Sequence, residues 1–369
     1  MTTHTNQEYH IAFASLRGIN HALADELLER SGSEQKFFES SRRELITAMG
    51  FDSKIFDDSY RASLLEKAVK ENTFITDNGV RALYYKDPAY PQRLLECDDA
   101  PLMLFTIGDM DLNAHRFISI VGTRHASAYG INFVDRLVKE IAERVDGGAT
   151  IVSGLAYGID ISAHAAALKY GLPTAAVLAH GLTTIYPAQH RSIAADMARH
   201  GGMLITDYHS DAPIHRANFL ARNRIVAGLC DCLVVAESAE KGGAMTTARI
   251  ASAYNRDVFA LPGRTSDTYS AGCNRLIADN IAGLIQNADD LIKAMNYPTV
   301  KKPEQPSLFI ELTDDERAVT EFLTAHGDAQ INQLTIHLNQ SVARVISLLI
   351  DMEYKGLILS YPGGKYALA

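Results

Sequence analysis

The chain has 369 residues, of which 47% are hydrophobic and 21% are charged, and its formal net charge at pH 7 is −9. This charge disfavours general electrostatic adhesion to nucleic acid, so any anion-binding surface must be local. Without a long apolar run or a basic-then-apolar start, the sequence predicts a cytoplasmic protein with no membrane partner. The cysteines lack metal-ligand spacing, which predicts reduced core residues and no metal site. They are Cys97, Cys230, Cys232 and Cys273.

The first 85 residues are predicted to form a helical domain. Apolar residues recur there at helical spacing from Leu16 to Leu27, and Gly18 interrupts the pattern. Helix, glycine turn, helix is the arrangement of SAM-like and helix-hairpin-helix-like domains, in which exposed turn amides meet a DNA phosphate. A helical bundle that serves only for packing is the open alternative for residues 1–85.

Residues 86–296 carry the pattern of an α/β domain. The segment 86–104 is rich in proline and turn residues, which predicts an extended connector. From Phe117 onward, continuous runs of Val, Ile and Leu alternate with amphipathic stretches, as in strands that are buried on both faces of a parallel sheet. The sequence therefore predicts a doubly wound, extended Rossmann-like parallel sheet, whose ligands bind outside the carboxyl ends of the strands.

The last part of the chain is predicted to be a linker, residues 297–312, followed by a winged-helix-like domain, residues 313–369. The linker bears proline and lysine. Thr313 and Glu316 form a capping-box pattern before three predicted helices and a terminal hairpin, which is the winged-helix order. The predicted recognition helix carries as many acidic as basic residues, so we expect it to contact protein rather than read DNA. These residues are Arg344, Asp351, Glu353 and Lys355.

Three strand-to-helix loops are predicted to bind an anion such as a DNA phosphate, and the second of them contributes Gly154 and Gly158. The first, residues 122–127, has Gly122, Thr123 and Arg124 directly after a buried strand, and an arginine with helix-start amides suits an anionic oxygen. A tight turn would explain Gly122 but not Arg124. The third loop, residues 239–243, and the helix start after it offer a lysine, paired glycines and hydroxyls, which again suit phosphate. Its residues are Lys241, Gly242, Gly243, Thr246 and Thr247.

Between them, the second loop, residues 153–160, has Gly154 and Gly158 before a helix that we expect Asp160 to N-cap. His164, one turn into that helix, is interpreted as a buried histidine with a satisfied hydrogen bond rather than a catalytic base.

Sequence fingerprints of cofactor sites and catalytic sets are missing. The chain has no G-x-G-x-x-G after a strand, no G-x-x-x-x-G-K-[ST], no G-x-S-x-G and no H-E-x-x-H. We therefore expect a binding protein without a cofactor and without catalytic residues.

The segment "IHRANFLARNRIVAGL" places three arginines in nine positions. In a helix from Asn218 to Leu229, Arg222 lies at the edge of an apolar side and Arg224 points nearly opposite. Arg222 then needs a partner, either an internal carboxylate or a bound phosphate. Phe219, next to Arg216, is either a core residue or a platform on which a base stacks.

Seven stretches in this order resemble the DNA-processing protein A (DprA/Smf) family over roughly residues 90–292. They are "VGTRHAS", "SGLAYGIDISAHAAAL", "AVLAHGLTTIYPAQH", "FLARNRIVAGL", "EKGGAMTTARIA", "DVFALPG" and "SAGCNRLI". The resemblance implies a cytoplasmic protein that binds single-stranded DNA without sequence preference, dimerises, and loads the RecA recombinase onto incoming DNA during natural transformation. It implies no catalysis.

Residue by residue, the resemblance implies that Arg124 and Arg216 contact phosphate and that Phe219 stacks on a base. Arg222, Asn223 and Arg224 match the family's Arg-Asn-Arg signature, and whether each touches DNA or braces the pocket stays open. Dimerisation is implied for about residues 273–284. The chain departs from the pattern at Tyr208-His209, which leaves the shape of the loop before Arg216 open. It also departs in the third loop, which has Gly243-Ala244-Met245 where serine and aliphatic residues are common in the family.

Two further hypotheses come from the sequence. The enzyme alternative is a nucleotide phosphoribohydrolase or N-glycosidase, because related folds use a Gly-Gly-x-Thr loop for a ribose phosphate; only Glu237 and Glu240 would supply an acid near that loop. The segment Gln305–Phe309, "QPSLF", resembles peptides that dock on the DNA-polymerase sliding clamp. A hydrophobic staple onto the following helix is the alternative for this segment.

Overall fold

The computed structural model describes residues 4–300, 312–361 and 364–368, which belong to two compact units, residues 1–300 and 301–369. The clamp-docking hypothesis for Gln305–Phe309 lies outside the described residues. No helix in the described ranges is long and apolar enough to cross a membrane. The four cysteines are buried and free, as predicted.

The first unit combines helices with one large sheet. Its helices are α1 (Asn6–Ala14), α2 (His21–Ser31), α3 (Glu34–Glu39), α4 (Arg42–Met49), α5 (Asp58–Asn78), α6 (Gln92–Leu95), α7 (Ala128–Arg144), α8 (Ile159–Lys169), α9 (Arg191–Arg199), α10 (Arg216–Gly228), α11 (Gly243–Ala253), α12 (Ala271–Ala278) and α13 (Ala288–Ala294). Its strands are β1 (Arg81–Tyr84), β2 (Met103–Gly108), β3 (Phe117–Val121), β4 (Thr150–Ser153), β5 (Thr174–Val177), β6 (Met203–Thr206), β7 (Cys232–Val235), β8 (Asp257–Ala260) and β9 (Gly283–Leu284). Two short 3-10 helices are Lys54–Phe56 and Ala188–His190.

The sheet has the order β1-β2-β6-β5-β4-β3-β7-β8-β9. Strands β3 to β9 pair in parallel, whereas β2 pairs antiparallel with both β1 and β6. The central strands are buried along their whole length, which is why they read as continuous apolar runs. The predicted α/β fold with a mostly parallel sheet is therefore confirmed.

The topological switch point lies between β3 and β7. From β3 the chain adds β4, β5 and β6 on one side, and from β7 it adds β8 and β9 on the other. The loops that leave neighbouring strands in opposite directions open a crevice at the carboxyl edge, where ligands bind in doubly wound folds. The first and third loops follow β3 and β7, so they flank this crevice.

The N-terminal helices begin at side-chain caps and several end at glycines. Asn20, Ser33 and Ser41 accept hydrogen bonds from amides of the first turns, and Gly32 and Gly50 end α2 and α4 with positive φ. The apolar side chains of these helices, among them Phe13, Phe37 and Phe56, share one continuous core with Phe105 of β2 and Ile225 of α10. The helical region thus packs directly on the sheet.

The prediction of an extended connector over residues 86–104 is wrong in part. The segment contains α6 and ends in the first residues of β2, and β1, which the sequence assigned to the helical region, pairs with β2 at the sheet edge. Both strands are only a few residues long and lie between turn residues. Their partner strands, which are distant in sequence, select the strand conformation.

The second unit contains α14 (Asp314–His326), α15 (Ile331–Leu338), α16 (Val342–Tyr354) and the strands β10 (Asp328–Gln330), β11 (Ile358–Tyr361) and β12 (Lys365–Leu368). The strands pair antiparallel in the order β10-β12-β11 around a separate apolar core. The predicted capping box of Thr313 and Glu316 is present.

The basic side chains of this second unit are largely neutralised by its own carboxylates. Lys355 pairs with Glu316 at 2.6 Å, and Lys365 pairs with Asp328 at 2.9 Å. Arg344 lies 3.5 Å from Asp315. Within residues 312–361 and 364–368, these pairs leave little positive charge for a nucleic acid.

His164 is buried, as the sequence suggested, but the expectation of a fully satisfied ring is met only at Nδ1, since the buried Nε2 has no hydrogen-bond partner among the described residues. Its Nδ1 lies 2.7 Å from the hydroxyl of Thr174, which itself donates to the Ile151 carbonyl, so Nδ1 carries the hydrogen and donates. Complete burial lowers the pKa of His164 to about 3, and the positive charge of Arg222 contributes to this decrease.

The buried His164 predicts a loss of stability in acid. In the unfolded chain the imidazole of His164 takes up a proton near pH 6.5, and in the folded chain it does so only near pH 3. This group therefore leaves the free energy of unfolding unchanged above about pH 6.5 and lowers it progressively as the pH falls towards 3. At about pH 4.5, His164 alone lowers the free energy of unfolding by roughly 2–3 kcal/mol.

In His164→Gln, we expect the decrease in unfolding free energy between neutral pH and about pH 4.5 to be smaller by roughly that amount. Urea unfolding at several pH values measures it. An equal decrease in both proteins would show that His164 does not control the acid response.

Candidate nucleic-acid interface

A cavity of about 910 Å³ opens at the carboxyl edge of the sheet, at the switch point. Its lining includes every predicted site residue except Gly158 and Arg224. It also includes several residues that the sequence did not single out as site residues: His125, Asp160, Tyr186, Ile214, Leu220, Ser238 and Tyr269. The three predicted loops and the start of α10 therefore converge on one cavity.

The first loop is held by Glu237, a buried residue that follows β7. The Thr123 N–H donates to the Glu237 carbonyl at 2.7 Å. The Glu237 carboxylate accepts from the N–H of Ser127 at 2.8 Å and from its hydroxyl at 2.6 Å. Ser127 is the N-cap of α7. The start of α7 is thus already neutralised by a carboxylate, and the loop offers an anion the Arg124 side chain rather than helix-start amides.

The second loop is closed in the same way by Asp160. The expected N-cap role is wrong, because Gly158 is the N-cap and Asp160 is the second residue of α8. The Asp160 carboxylate accepts from the Gly154 N–H at 3.2 Å. Burial raises the pKa of Asp160 above its ordinary value, and the nearby Arg222 guanidinium opposes that rise.

Gly158 lies behind the cavity wall and sets the spacing of the first two loops. Its φ is +75°, and a Cβ there would overlap the Thr123 carbonyl oxygen. The Ile159 N–H donates to the same carbonyl at 3.2 Å. Glycine is required because both the backbone conformation and the approach of the first loop exclude a side chain.

The third loop ends in a helix start that has no side-chain cap. Gly242 is the N-cap of α11, and none of the described side chains caps this end. By contrast, α7 carries Ser127 and Glu237 at its start, and α10 carries the Nδ1 acceptor of His215. The positive end of the α11 dipole therefore faces the cavity beside the exposed Lys241.

Arg222 is a bracing residue. Its side chain is buried, and its guanidinium donates to the Gly154 carbonyl at 2.8 Å and to the Val177 carbonyl. The sequence left a carboxylate and a phosphate open as partners. The structure places backbone carbonyls of two strand-to-helix loops there, with Asp160 close enough to oppose the decrease in the pKa of Arg222 that burial causes.

Arg224 points away from the cavity, as the helical projection of its position indicates. Its guanidinium pairs with Asp207 at 2.6 Å and donates to the Asp99 carbonyl. It thereby ties α10, which begins two residues earlier than predicted, to the end of β6 and to the turn before β2.

The unusual Tyr208-His209 pair belongs to the contact between the N-terminal helices and the segment before α10. His209 Nε2 lies 3.0 Å from the Ser15 hydroxyl of the α1 C-cap. One residue further, the Ser210 N–H donates to both oxygens of the Glu71 carboxylate at 2.9 Å, and its hydroxyl donates at 2.6 Å. Glu71 is buried on α5, so the helical region fixes the loop that leads to Arg216.

Phe219 lies at the cavity wall between a cation and a second aromatic ring. The Arg124 guanidinium lies 5.4 Å from the Phe219 ring centre, within cation–π distance. The Tyr186 ring lies 5.7 Å from the Phe219 ring in an edge-on geometry, and it is 40% exposed. Tyr186 belongs to the quoted stretch "AVLAHGLTTIYPAQH", but nothing in the local pattern shows that this turn reaches α10.

The cavity is positive although the chain is acidic. Arg124, Arg216 and Lys241 line it with exposed side chains, and none of them forms an ion pair within residues 4–300. Several arginines elsewhere in the unit form ion pairs, such as Arg93 with Asp231 at 2.6 Å and Arg224 with Asp207 at 2.6 Å. Asp160 is the acidic lining residue, and it is engaged with the backbone. The cavity therefore carries a local positive charge on an otherwise acidic chain.

Neither carboxylate near the third loop has a geometry that favours the enzyme alternative. Glu237 accepts hydrogen bonds from Ser127 at the start of α7 and is not a lining residue. Glu240 lies outside the cavity lining. Among the described residues, no group of three or more His, Cys, Asp or Glu side chains is arranged to hold a metal ion.

A family model described as DNA recombination-mediator protein A matches residues 81–296, which is more than half of the chain. The chain belongs to this family. Within the DNA recombination-mediator protein A family, protein Smf of Escherichia coli is 34% identical over 285 residues, or 76% of this chain and 75% of that protein. The DNA processing protein DprA of Bacillus subtilis is 37% identical over 229 residues, or 62% and 75% of the two chains.

Solved structures of the family have the same fold. DNA processing protein A of Streptococcus pneumoniae matches with a TM-score of 0.65 and 28% identity, over 79% of this chain and 98% of that one. The protein from Helicobacter pylori, whose structure concerns its single-stranded DNA binding mode, matches with a TM-score of 0.53 and 30% identity, over 59% and 97%. The family match begins at β1, so the region that the family model describes contains the whole nine-stranded sheet.

The different roles of the cavity glycines predict different effects of substitution. Gly158→Ala forces an L-residue into a left-handed conformation and against the Thr123 carbonyl, and we expect it to lower the free energy of unfolding by about 2–3 kcal/mol. Gly243→Ala is the control, because a Cβ at Gly243 meets no atom within 4 Å. Thermal unfolding of both variants measures the difference, and equal midpoints would show that the close approach at Gly158 is not required.

Proposed function

We propose that the chain binds single-stranded DNA in the switch-point cavity and acts as a recombination mediator that loads RecA onto that DNA, by binding rather than catalysis and without a cofactor. The proposal depends on one observation about the cavity lining. It combines an aromatic ring with three exposed cations, which form no ion pair within residues 4–300, and with one helix start that has no side-chain cap. Family membership and the single-stranded DNA binding mode of the Helicobacter pylori relative support it.

The cavity residues divide into three roles in this proposal. Arg124, Arg216 and Lys241 contact phosphates, together with the α11 start, which comprises Gly242, Gly243 and the exposed Thr246 hydroxyl. Phe219 stacks on a base. The remaining predicted residues shape the cavity or line it: Gly122, Thr123, Gly154, Gly158, Arg222, Asn223 and Arg224.

Arg124→Ala and Arg216→Ala are expected to weaken binding to a thymidine oligonucleotide by roughly 5- to 30-fold. Each also reduces the slope of log affinity against log salt concentration by about 0.7 for each phosphate that the variant no longer neutralises. Fluorescence anisotropy titrations at several salt concentrations measure both quantities. Arg43→Ala is the matched control, since Arg43 is exposed on α4, outside the cavity lining, and should leave affinity and slope unchanged.

Phe219→Ala should weaken binding by a similar factor but keep the salt slope, because a stacking contact releases no counterion. If the arginine variants bind with unchanged affinity and slope, the site assignment is wrong. Oligonucleotide-stimulated ATP hydrolysis by RecA on DNA already covered by a single-strand binding protein tests the loading step separately.

We propose that the edge strand β9 and α12 form a homodimer interface. β9 is the last strand of the sheet, so its outer backbone groups are unpaired within the described unit, and Leu284 is 47% exposed on it. Ile277 and Ile281 are half-buried beside it. The resemblance to the family supports a dimer interface in this segment, residues 273–284.

Leu284→Glu should convert a dimer to a monomer at low micromolar concentration, because it places a charge in an apolar contact. Multi-angle light scattering measures the mass. Val69→Glu, on the exposed surface of α5, is the control and should leave the mass unchanged. A variant Leu284→Glu that stays dimeric would place the interface elsewhere.

The remaining functional assignments stay proposals. We propose a cytoplasmic location, a SAM-like or helix-hairpin-helix-like role for residues 1–85, and a winged-helix-like second unit that contacts protein. The order of α14–α16 and the antiparallel sheet supports the last of these. Docking of Gln305–Phe309 on the sliding clamp remains a prediction from the sequence.

A further inference from the structure

Two aromatic pairs line the cavity, and the proposed function uses only one of them. The first pair is Phe219 with Tyr186. The second is His125 with Tyr269, whose rings are stacked with centres 6.0 Å apart and planes inclined by 27°. Both His125 and Tyr269 are lining residues.

The sheet order separates the two tyrosines of these pairs, whereas their partners approach each other at the first loop, where Arg124 contacts Phe219 and His125 is the next residue. Tyr186 lies in the loop after β5 and Tyr269 in the loop after β8, and these strands are four positions apart in the order β5-β4-β3-β7-β8. At about 4.8 Å per strand, the strand ends lie roughly 19 Å apart. The first and third loops, with Arg124 and Lys241, follow β3 and β7 and thus lie between the two aromatic loops.

The loop that carries Tyr269 is held rigidly at both ends. The Tyr129 hydroxyl donates to the Pro262 carbonyl at 2.8 Å, and Gly263 exchanges two hydrogen bonds with the Asn274 side chain, at 3.1 and 3.0 Å. At the other end, the Ser238 N–H donates to the Tyr269 carbonyl at 2.6 Å. An aromatic ring on such a loop costs little further conformational entropy when a ligand stacks on it.

The second pair also has an accessible face. His125 is exposed on the first loop, one residue after Arg124. Its backbone N–H donates to the Thr123 hydroxyl at 3.2 Å. Tyr269 is half-buried beneath it. A base that meets this pair lies next to the cations of both phosphate-binding loops, which is the combination that single-strand binders use.

We propose that His125 and Tyr269 form a second base platform, so that the cavity takes an oligonucleotide with bases on both aromatic pairs and phosphates between them, rather than a single nucleotide. This inference rests on the proposed function, since it concerns the same cavity. The volume of about 910 Å³ lies at the upper end of the range of roughly 300–1,000 Å³ for small-molecule sites, which leaves room for more than one nucleotide unit.

The test compares Tyr269→Ala, Tyr269→Phe and His125→Ala in the full chain. Tyr269→Ala and His125→Ala should each weaken binding of a short thymidine oligonucleotide by about 5- to 100-fold with an unchanged salt slope. Tyr269→Phe, which keeps the ring, should bind within about twofold of the parent. Binding of thymidine monophosphate should be equal in all four proteins, because one nucleotide occupies one platform.

A fluorescent adenine analogue in the oligonucleotide reports stacking directly. Its emission should be quenched by the parent at two positions along a bound oligonucleotide, and at one position by Tyr269→Ala. Quenching at the same two positions in Tyr269→Ala would overturn the second platform. Thermal unfolding verifies that each variant is folded, and if Tyr269→Ala is not, His125→Ala decides, because its side chain is exposed.

The outcomes distinguish the two proposals. If Arg124→Ala weakens binding while Tyr269→Ala and His125→Ala do not, single-stranded DNA binding stands and the second platform is wrong. If none of these variants changes affinity, the cavity is not the DNA site and both proposals fail.

Discussion

The buried guanidinium of Arg222 organises the whole cavity. It joins α10 to the carbonyls of Gly154, directly after β4, and of Val177, the last residue of β5, and the N–H of Gly154 donates to Asp160. A buried cation is tolerated only when such acceptors surround it, and removing one partner would leave a charge without compensation. Because Arg222 fixes α10 against two strand ends, Arg216 and Phe219 at the start of α10 lie where the first loop can meet them.

The charged side chains around the cavity form two groups. One group is bound to other protein groups and stabilises the cavity walls, and the other stays exposed to a ligand. Arg222 and Arg224 end on protein carbonyls and a carboxylate, Glu237 binds the start of α7, and Asp160 binds the Gly154 N–H of the second loop. What is left at the cavity is the start of α11, which no described side chain caps, together with exposed cations on three different segments. An acidic chain can thus have a positively charged site, because the carboxylates near the cavity accept hydrogen bonds from other protein groups, while lysine and arginine side chains stay exposed at the opening.

The N-terminal helices take part in this architecture although they lie outside the region that the family model matches. Glu71 of α5 binds Ser210, and Ser15 meets His209, so the segment that leads to Arg216 is held from the helical side. The position of one proposed phosphate contact therefore depends on packing between the two regions. This is a physical reason for the two regions to share one core rather than to behave as separate domains.

Much of this arrangement could be predicted from the sequence, because local patterns suffice for it. Continuous apolar runs predicted the parallel sheet, glycine-rich turns after those runs predicted the three loops, and helical periodicity predicted that Arg222 and Arg224 diverge. The roles of Asp160 and Gly158 could not be predicted. Their partners, the Gly154 amide and the Thr123 carbonyl, are selected by how the loops approach one another and not by the residues next to them.

The sequence by itself determined the fold class and the edge of the sheet at which ligands bind, since strand and helix periods are local and the carboxyl ends of parallel strands meet at one edge. Only the tertiary structure decided which of the candidate groups face the cavity. Tyr186 and Tyr269 come from loops after β5 and β8, on either side of the switch point, and no periodicity brings them together. Their convergence results from the strand order and from hydrogen bonds between segments far apart in the chain, which a local pattern does not encode.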